Sequence, residues 1–421
     1  LIKAILIDTG VYRLKNGRPE NALPLVSLVL LSLLSCALVC SSSARPAFAN
    51  ALVEKYSRAG TEAFEHARYA EAEKSFLSAI KAAEASGANS PDVAKSLCNL
   101  AELYLDQGKY AKAESLYKHA LAIYEKAFGS NHCYSARALD NLAVLYKAQG
   151  NYAAAEPMHK RALSILEKTL GPNDPDVASA LNNLAALYKE QGKYAEAEPL
   201  FKRALAIDEK ALGPNHLKVA TALGNLAELY MTQGKYTQAE PMFKRSLAID
   251  EKALGPNHPA VSNDLNNLAS LYRYQGKIEQ AEPLFRRSLA IAEKTLGPEH
   301  PDVAAKLSNL AGLLREEGKY SLAELMYKRA MAIDLKVVGP NHADIGADLN
   351  CLAELYSAQG KYAQSEPLYK SSLSILEKAY GPKHPNIATV LNNYAAVLRK
   401  TNRVKEAVAL EARAEAMRPI R

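Results

Sequence analysis

Between Leu181 and Tyr188 the apolar residues fall at Leu181, Leu184, Ala185 and Tyr188, spaced i, i+3, i+4, i+7. That spacing puts them on one face of an α-helix. Gly192 ends the helix, because glycine takes the left-handed conformation of a C-terminal cap without steric cost. Beyond Lys193, the residues Tyr194, Ala197, Phe201, Ala204, Leu205 and Leu212 trace a second, longer amphipathic helix. Gly213-Pro214 stops it, since proline cannot continue the hydrogen-bond ladder. Pro199 is expected near the start of this second helix, where a missing N–H costs little. The short side chains of Ala185, Ala197 and Ala204 let the two helices approach closely. No segment alternates apolar and polar residues with β-branched enrichment, so no sheet is expected.

The unit recurs. Gly108, Gly150, Gly192, Gly234, Gly276, Gly318 and Gly360 are spaced by 42 residues. Asn402 occupies the next place in the series, and Ala67 stands 41 residues before Gly108, followed by the matching Arg68-Tyr69. Nine units result, over residues 51–418, with repeat ends near 91, 133, 175, 217, 259, 301, 343, 385 and 418. A lone helix pair buries too little surface to be stable, so the expected fold is an all-α solenoid of about nine stacked antiparallel helix pairs. The divergent first unit (Tyr56, Gly60, Phe64, Tyr69, Phe76) would cap one end. The last helix, roughly Val404 to Met417, carries Lys405, Glu406, Glu411, Arg413 and Glu415 and would cap the other with a polar face.

One unit carries Leu181-Asn182-Asn183-Leu184-Ala185-Ala186-Leu187-Tyr188, Gln191-Gly192-Lys193-Tyr194 and Ala197-Glu198-Pro199-Leu200. Lys202-Arg203-Ala204-Leu205 and Leu212-Gly213-Pro214-Asn215-His216 complete it. Versions recur eight times, and the pattern resembles the tetratricopeptide repeat, in the 42-residue form found in kinesin light chains. The resemblance implies a right-handed superhelix whose first helices line a concave, peptide-binding groove. Kinesin light chains precede their repeats with a heptad coiled coil that grips the motor, and no heptads occur here. The resemblance therefore reaches the repeat fold and its binding habit, not motor attachment.

The first 49 residues differ from the rest. Arg13, Lys15 and Arg18 precede an apolar run from Leu23 to Cys40, Ser41 to Arg45 breaks it, and Ala47-Phe48-Ala49 follows. That order is the one of a secretory signal cleaved after Ala49, giving an exported (periplasmic or secreted) protein of residues 50–421. Three other readings stand beside it. The 18-residue run is long enough for an uncleaved membrane anchor. Leu33-Leu34-Ser35-Cys36 loosely resembles a lipoprotein box, which would place a lipid on Cys36, and the residues just before the run could be a mis-assigned upstream extension, with no Met before Met158. Contact with a membrane is expected only if residues 23–40 stay uncleaved.

Composition adds limits. An apolar content of 48% excludes intrinsic disorder. Lys plus Arg number 52 against 45 acidic residues, a net charge of +7 that falls to +4 without the leader. So small a surplus, with acidic residues interleaved, gives no expectation of nucleic-acid binding. Removing the leader leaves Cys98, Cys133 and Cys351, an odd number that argues against a disulfide framework. These three are expected to be buried small apolar residues.

Opposite the packing stripe, the first helix presents Ser179, Asn182, Asn183, Ala186, Lys189 and Glu190 on a face expected to be free. Two stripes run along that face. The first is Asn99, Asn141, Asn183, Asn225, Asn267, Asn309 and Asn393, with Cys351 as the exception. Asparagine is a middling helix former, so its repetition at one helical position needs a reason. Either its amide serves an extended peptide backbone, as the matching Asn does in relatives that hold peptides, or it bonds a neighbouring helix and fixes repeat stacking. The second stripe is basic: Lys147, Lys189, Arg273, Arg315 and Arg399, interrupted by Met231 and Ser357. It fits either an acidic or C-terminal-carboxylate peptide or a solvated charged face, diluted by Glu102, Glu190, Glu228, Glu316 and Glu354. Asp140, Gly224, Ser308, Asn350 and Asn392 vary more and could discriminate between ligands.

Histidines recur at the same period, at His132, His216, His258, His300, His342 and His384, with Asp174 in the remaining place. Metal ligands converge within a few ångströms, whereas successive repeats stack at about 8–10 Å. The exchange with Asp174 points to a capping or loop-bonding role, which either side chain can serve. No glycine-rich phosphate loop, HExxH, paired Cys-x-x-Cys or Gly-x-Ser-x-Gly elbow occurs. The recurrent Glu156, Glu198, Glu240, Glu282, Glu324 and Glu366 belong to the repeat itself. No catalytic residue, cofactor or metal is expected. The reading is a non-catalytic protein- or peptide-binding scaffold working through its groove, with an accessory subunit that docks a folded enzyme by its convex face or edge as the alternative.

Overall fold

A computed structural model describes residues 13–15, 18–20 and 47–417 of the chain. Residues 47–417 form eighteen helices in nine pairs, which divide by their internal contacts into two units at Ala253. The first unit holds pair 1 (Ala47–Glu65, Tyr69–Glu84), pair 2 (Pro91–Asp106, Tyr110–Phe128) and pair 3 (Cys133–Ala148, Tyr152–Leu170). Pair 4 (Pro175–Glu190, Tyr194–Leu212) and pair 5 (Leu217–Thr232, Tyr236–Leu254) complete it. The second unit holds pair 6 (Pro259–Tyr274, Ile278–Leu296) and pair 7 (Pro301–Glu316, Tyr320–Val337). Pair 8 (Ala343–Ala358, Tyr362–Tyr380) and pair 9 (Pro385–Lys400, Val404–Glu415) follow. Within each unit a first helix packs on its own second helix, on the second helix of the preceding pair, and on the first helices beside it. This is the all-α solenoid expected from the repeat.

Local chemistry sets the helix ends. Gly192 N–H donates to Lys189 O at 3.0 Å and Lys193 N–H to Tyr188 O at 2.9 Å, a Schellman cap that requires the left-handed φ of +72° at Gly192. The two non-glycine residues in this series, Ala67 and Asn402, adopt the same conformation, with φ of +53° and +62°. At the other end, His216 Nδ1 accepts from Lys218 N–H at 3.1 Å, and Asp174 Oδ1 accepts from Asp176 N–H at 2.8 Å. His132, His258, His300, His342 and His384 do the same for their helices. The repeated histidines are N-caps.

Packing follows the apolar stripe. Leu181, Leu184, Ala185, Ala197, Phe201 and Ala204 are buried, while Leu205 and Leu212 are half-buried. In the first eight pairs one large side chain of the second helix is buried: Phe76, Tyr117, His159, Phe201 and Phe243 in the first unit, Phe285, Tyr327 and Tyr369 in the second. Burying each phenylalanine ring contributes about 1.5–3 kcal/mol. The cysteines Cys98, Cys133 and Cys351 are buried, and none of the three is in a disulfide.

Three expectations need correction. Pro199 is not in the first turn, because the helix starts at Tyr194; proline stands sixth, inside the helix, as do Pro157, Pro241, Pro283 and Pro367. The expectation of no sheet fails in the leader, where Arg13–Lys15 pairs antiparallel with Arg18–Glu20. The face bearing Lys189 is not free either, for reasons given below. The apolar run 23–40 lies outside the described residues, and no described helix is long and apolar enough to cross a membrane. The first helix begins at Ala47, so cleavage after Ala49 would remove three of its residues.

Candidate functional site

The face of each first helix that does not meet its own second helix carries both expected stripes. Neighbouring first helices share that face, and its polar side chains reach across the junctions. In the first unit Asn183 Nδ2 donates to Asp140 Oδ2 at 2.6 Å. In the second, Asn309 Nδ2 donates to Asn266 Oδ1 at 3.0 Å, and Asn393 Nδ2 to Asn350 Oδ1 at 3.2 Å and Glu354 Oε1 at 2.7 Å. Each Asn–Asp or Asn–Asn bond joins residues 43 apart, one repeat plus one position. Asn141 bonds the Cys98 thiol in the same register; burial, then the charge of Glu102, push that thiol up to about 12, and Asn141 pulls it back.

The basic stripe is equally engaged. Lys147 pairs with Glu190 at 3.5 Å and Lys189 with Glu228 at 2.8 Å. In the second unit Arg273 Nε holds both Glu316 oxygens at 3.0 Å, and Arg315 reaches Glu354 at 2.6 Å. Arg399 forks onto Glu411 of its own pair at 2.6 and 2.7 Å. The glutamates on the same face are the partners of the stripe rather than a dilution of its field. Lys147 and Lys189 are buried because their partners stand on the next first helix, which one helix's periodicity cannot show.

Some polar atoms on this face are left over. Asn99 Nδ2 and Asn182 Oδ1 in the first unit, and Asn263 Nδ2 and Ser308 Oγ in the second, are buried without a hydrogen-bond partner. Asn225 is half-buried and Asn267 is buried.

One cluster escaped sequence reasoning. His159 stands where pairs 1, 2 and 4 to 8 carry Phe or Tyr, and its Nδ1–H donates to Asp140 Oδ1 at 2.6 Å. Asp140 thus takes one bond from His159 and one from Asn183, while His159 Nε2 is buried without a partner. The signal was present in the sequence: His159 is the one imidazole in an aromatic column, and Asp140 the one carboxylate in a column of Cys, Asn, Gly and Ser. Among the described residues no group of three His, Cys, Asp or Glu side chains is placed to hold a metal. The arrangement can present amides, hydroxyls and paired charges to a ligand.

The tetratricopeptide repeat pattern matches residues 56–126, 134–210, 176–252, 218–294, 265–336 and 346–419. Among solved structures, a kinesin light chain-like protein of Podosopora anserina with nearly identical TPR-like repeats is 28% identical. That match covers 49% of this chain and 97% of that chain, with a TM-score of 0.42. BtubC from P. vanneervenii is 24% identical, covering 61% of this chain and 94% of that chain at a TM-score of 0.44. A Rap protein complexed with Competence and Sporulation Factor is 14% identical, covering 88% and 97% at a TM-score of 0.60, a likeness of fold. No curated protein matches the chain in sequence.

Proposed function

The chain belongs to the tetratricopeptide repeat family, and from that premise we propose that it is a non-catalytic scaffold that holds an extended peptide along its first helices. The observation that carries the reading is the set of unpartnered buried polar atoms on that face, Asn99 Nδ2, Asn182 Oδ1, Asn263 Nδ2 and Ser308 Oγ. A buried polar atom without a partner costs about 1–3 kcal/mol. A peptide backbone offers both donors and acceptors, and one that displaces the side chains covering these atoms would relieve that cost. The engaged residues Asn183, Asn309, Lys189, Arg273 and Arg315 then shape the wall, and the uncommitted amides bind. Because the cations of the stripe are matched by Glu190, Glu228, Glu316 and Glu354, the bound segment is recognised by its backbone first and by acidic side chains second.

Selection of a displayed peptide library on the full chain tests this. A sequence family enriched by the wild type should be lost on Asn99→Ala with Asn182→Ala, with melting unchanged or raised because orphaned amides have been removed. Retention of the same peptides by that variant would move binding away from the first helices. The exported location is proposed on the leader's charge and apolar pattern alone, and N-terminal sequencing of the native protein tests it. A chain that still carries residues 1–49 would overturn cleavage.

A further inference from the structure

On the solvent side of the second helices, an Arg–Glu clasp repeats between consecutive pairs. Arg161 meets Glu125 at 3.4 Å, Arg203 meets Glu167 at 2.6 Å, and Arg245 meets Glu209 at 2.7 Å. In the second unit Arg329 meets Glu293 at 2.6 Å and Arg413 meets Glu377 at 2.6 Å. Between pairs 7 and 8 both partners are replaced: the glutamate position is Leu335 and the arginine position is Ser371. The same helix, Tyr320–Val337, departs from the repeat twice more. Leu325 takes the place of Pro157, Pro199, Pro241, Pro283 and Pro367, and Leu322 takes that of Glu196, Gln238, Gln280 and Gln364. All three leucines face solvent, at 50% exposure for Leu322, 66% for Leu325 and 40% for Leu335.

Helical spacing joins them. Leu325, Lys328, Ala332 and Leu335 follow i, i+3, i+7, i+10, with Leu322 one turn before, a strip of about 20 Å. Four departures concentrated at one junction, each removing a polar, charged or prolyl residue, make an apolar row that nothing in the repeat requires. Its rim is basic. On Tyr194–Leu212 the acidic Glu196, Glu198, Glu209 and the buried Asp208 stand against Lys202, Arg203 and Lys210. On Tyr320–Val337 only Glu324 and the buried Asp334 oppose Lys328, Arg329 and Lys336. Those three cations have intramolecular partners (Glu324, Glu293 and Glu299), yet remain 57%, 42% and 63% exposed, open to a second carboxylate.

We infer that this face of pair 7 is a second docking site, separate from the first-helix face, for an amphipathic helix with acidic flanks. A helix surface offers no unpaired backbone edge for strand addition, whereas leucines at i, i+3 spacing form a ridge that another helix's apolar stripe can straddle. The basic rim selects the sign of the flanks.

The test uses the full chain and a fluorescein-labelled helical peptide of about 18 residues with a leucine stripe and glutamate flanks. Two controls carry lysine flanks or an alanine stripe. The variant L322Q/L325P/L335E/S371R restores residues that neighbouring pairs carry at these positions, so the fold is retained; circular dichroism verifies it. The glutamate-flanked peptide should bind the wild type and lose at least about tenfold in affinity on the restored variant. L335E/S371R alone should lose part of that. Neither control should bind. Equal affinity for both proteins, equal binding of the lysine-flanked peptide, or no binding to the wild type would each overturn the inference. Dimerisation of the wild type that the variant abolishes, seen by sedimentation, would assign the row to a second copy of the chain instead.

Discussion

Tyr230 Oη donates a 3.0 Å hydrogen bond to Glu198 Oε1, tying the first helix of pair 5 to the second helix of pair 4. Lys202 holds the same carboxylate at 2.7 Å from one turn along, and Lys235 approaches it at 3.5 Å while its ammonium lies 5.5 Å from the Tyr230 ring centre. The bond to Lys202, above all, holds Glu198 below the usual carboxylate range; burial, then the bond to Glu198, push Tyr230 above the usual phenol range. The same clasp joins Tyr104 to Glu73 at 2.6 Å, Tyr146 to Glu114 at 3.0 Å and Tyr188 to Glu156 at 3.2 Å. In the second unit it joins Tyr356 to Glu324 at 2.9 Å and Tyr394 to Glu366 at 2.8 Å. Within each unit, wherever the next first helix carries this tyrosine, stacking is directional: the preceding pair hands it one carboxylate. Pair 7 has Leu314 in that place instead.

Removing the hydroxyl alone isolates this bond from ring packing. Tyr230→Phe should lower stability by about 1 kcal/mol, read from urea unfolding, because Tyr230 is buried while Glu198 keeps its lysine partners. Glu198→Gln in the same background should then cost less than it does alone, the signature of a shared interaction. Additive losses would mean that the tyrosine acts through its ring.

Ala67 holds a conformation that glycine holds in the pairs that follow, with φ at +53°. An L-residue there costs about 1 kcal/mol through its Cβ. Ala67→Gly should therefore raise the thermal midpoint of the N-terminal pair, whereas Gly192→Ala should lower that of pair 4. A stabilising Gly192→Ala would contradict the requirement for the left-handed cap.

What the sequence shows well is what is local. The 42-residue spacing of Gly108 to Gly360 marks helix ends, and the exchange of Asp174 for histidine marks the N-caps, because a cap involves residues two apart. The charged stripe is different. Lys189 looks solvated on its own helical wheel, but Glu228 stands 39 residues on, and only stacking brings them to 2.8 Å. His159 and Asp140 are likewise 19 apart; each is an odd residue in its column, but nothing in the columns says that they touch. The clustered leucines at 322, 325 and 335 were visible as departures from the repeat, yet their meaning depends on which helix face is left to solvent.

Gly312 has a use that glycine's helix propensity would not suggest. A Cβ there would lie 3.0 Å from Arg273 Nη1 and 3.2 Å from its Cζ, in the path by which the guanidinium reaches Glu316. Gly312→Ala should gain about 1 kcal/mol of helix propensity. It should also push the guanidinium aside. The coupling between Arg273 and Glu316 in a double-mutant cycle, up to about 1 kcal/mol for a partly exposed pair, should fall toward zero in the alanine background. An undiminished coupling would show that Arg273 has another route.

The histidine caps make stability depend on pH in a direction that follows from the hydrogen bond. His132, His216 and His258 each accept a backbone N–H through Nδ1, which requires the neutral ring there. Burial holds all three below the usual imidazole range, helped by Arg137 at His132 and Lys218 at His216. The unfolded chain therefore binds more protons than the folded one as pH falls below the ordinary imidazole value of about 6.5. Cap stability is complete above that value and is lost from there down to the lowered folded values. Each cap contributes about 1 kcal/mol. Wild-type protein should melt at lower temperature at pH 5 than at pH 7.5. H132D/H216D/H258D, which copies the cap that Asp174 already makes, should flatten that difference, since aspartate stays ionised over the interval. An equal fall in both proteins would place the acid sensitivity in the carboxylate clasps instead.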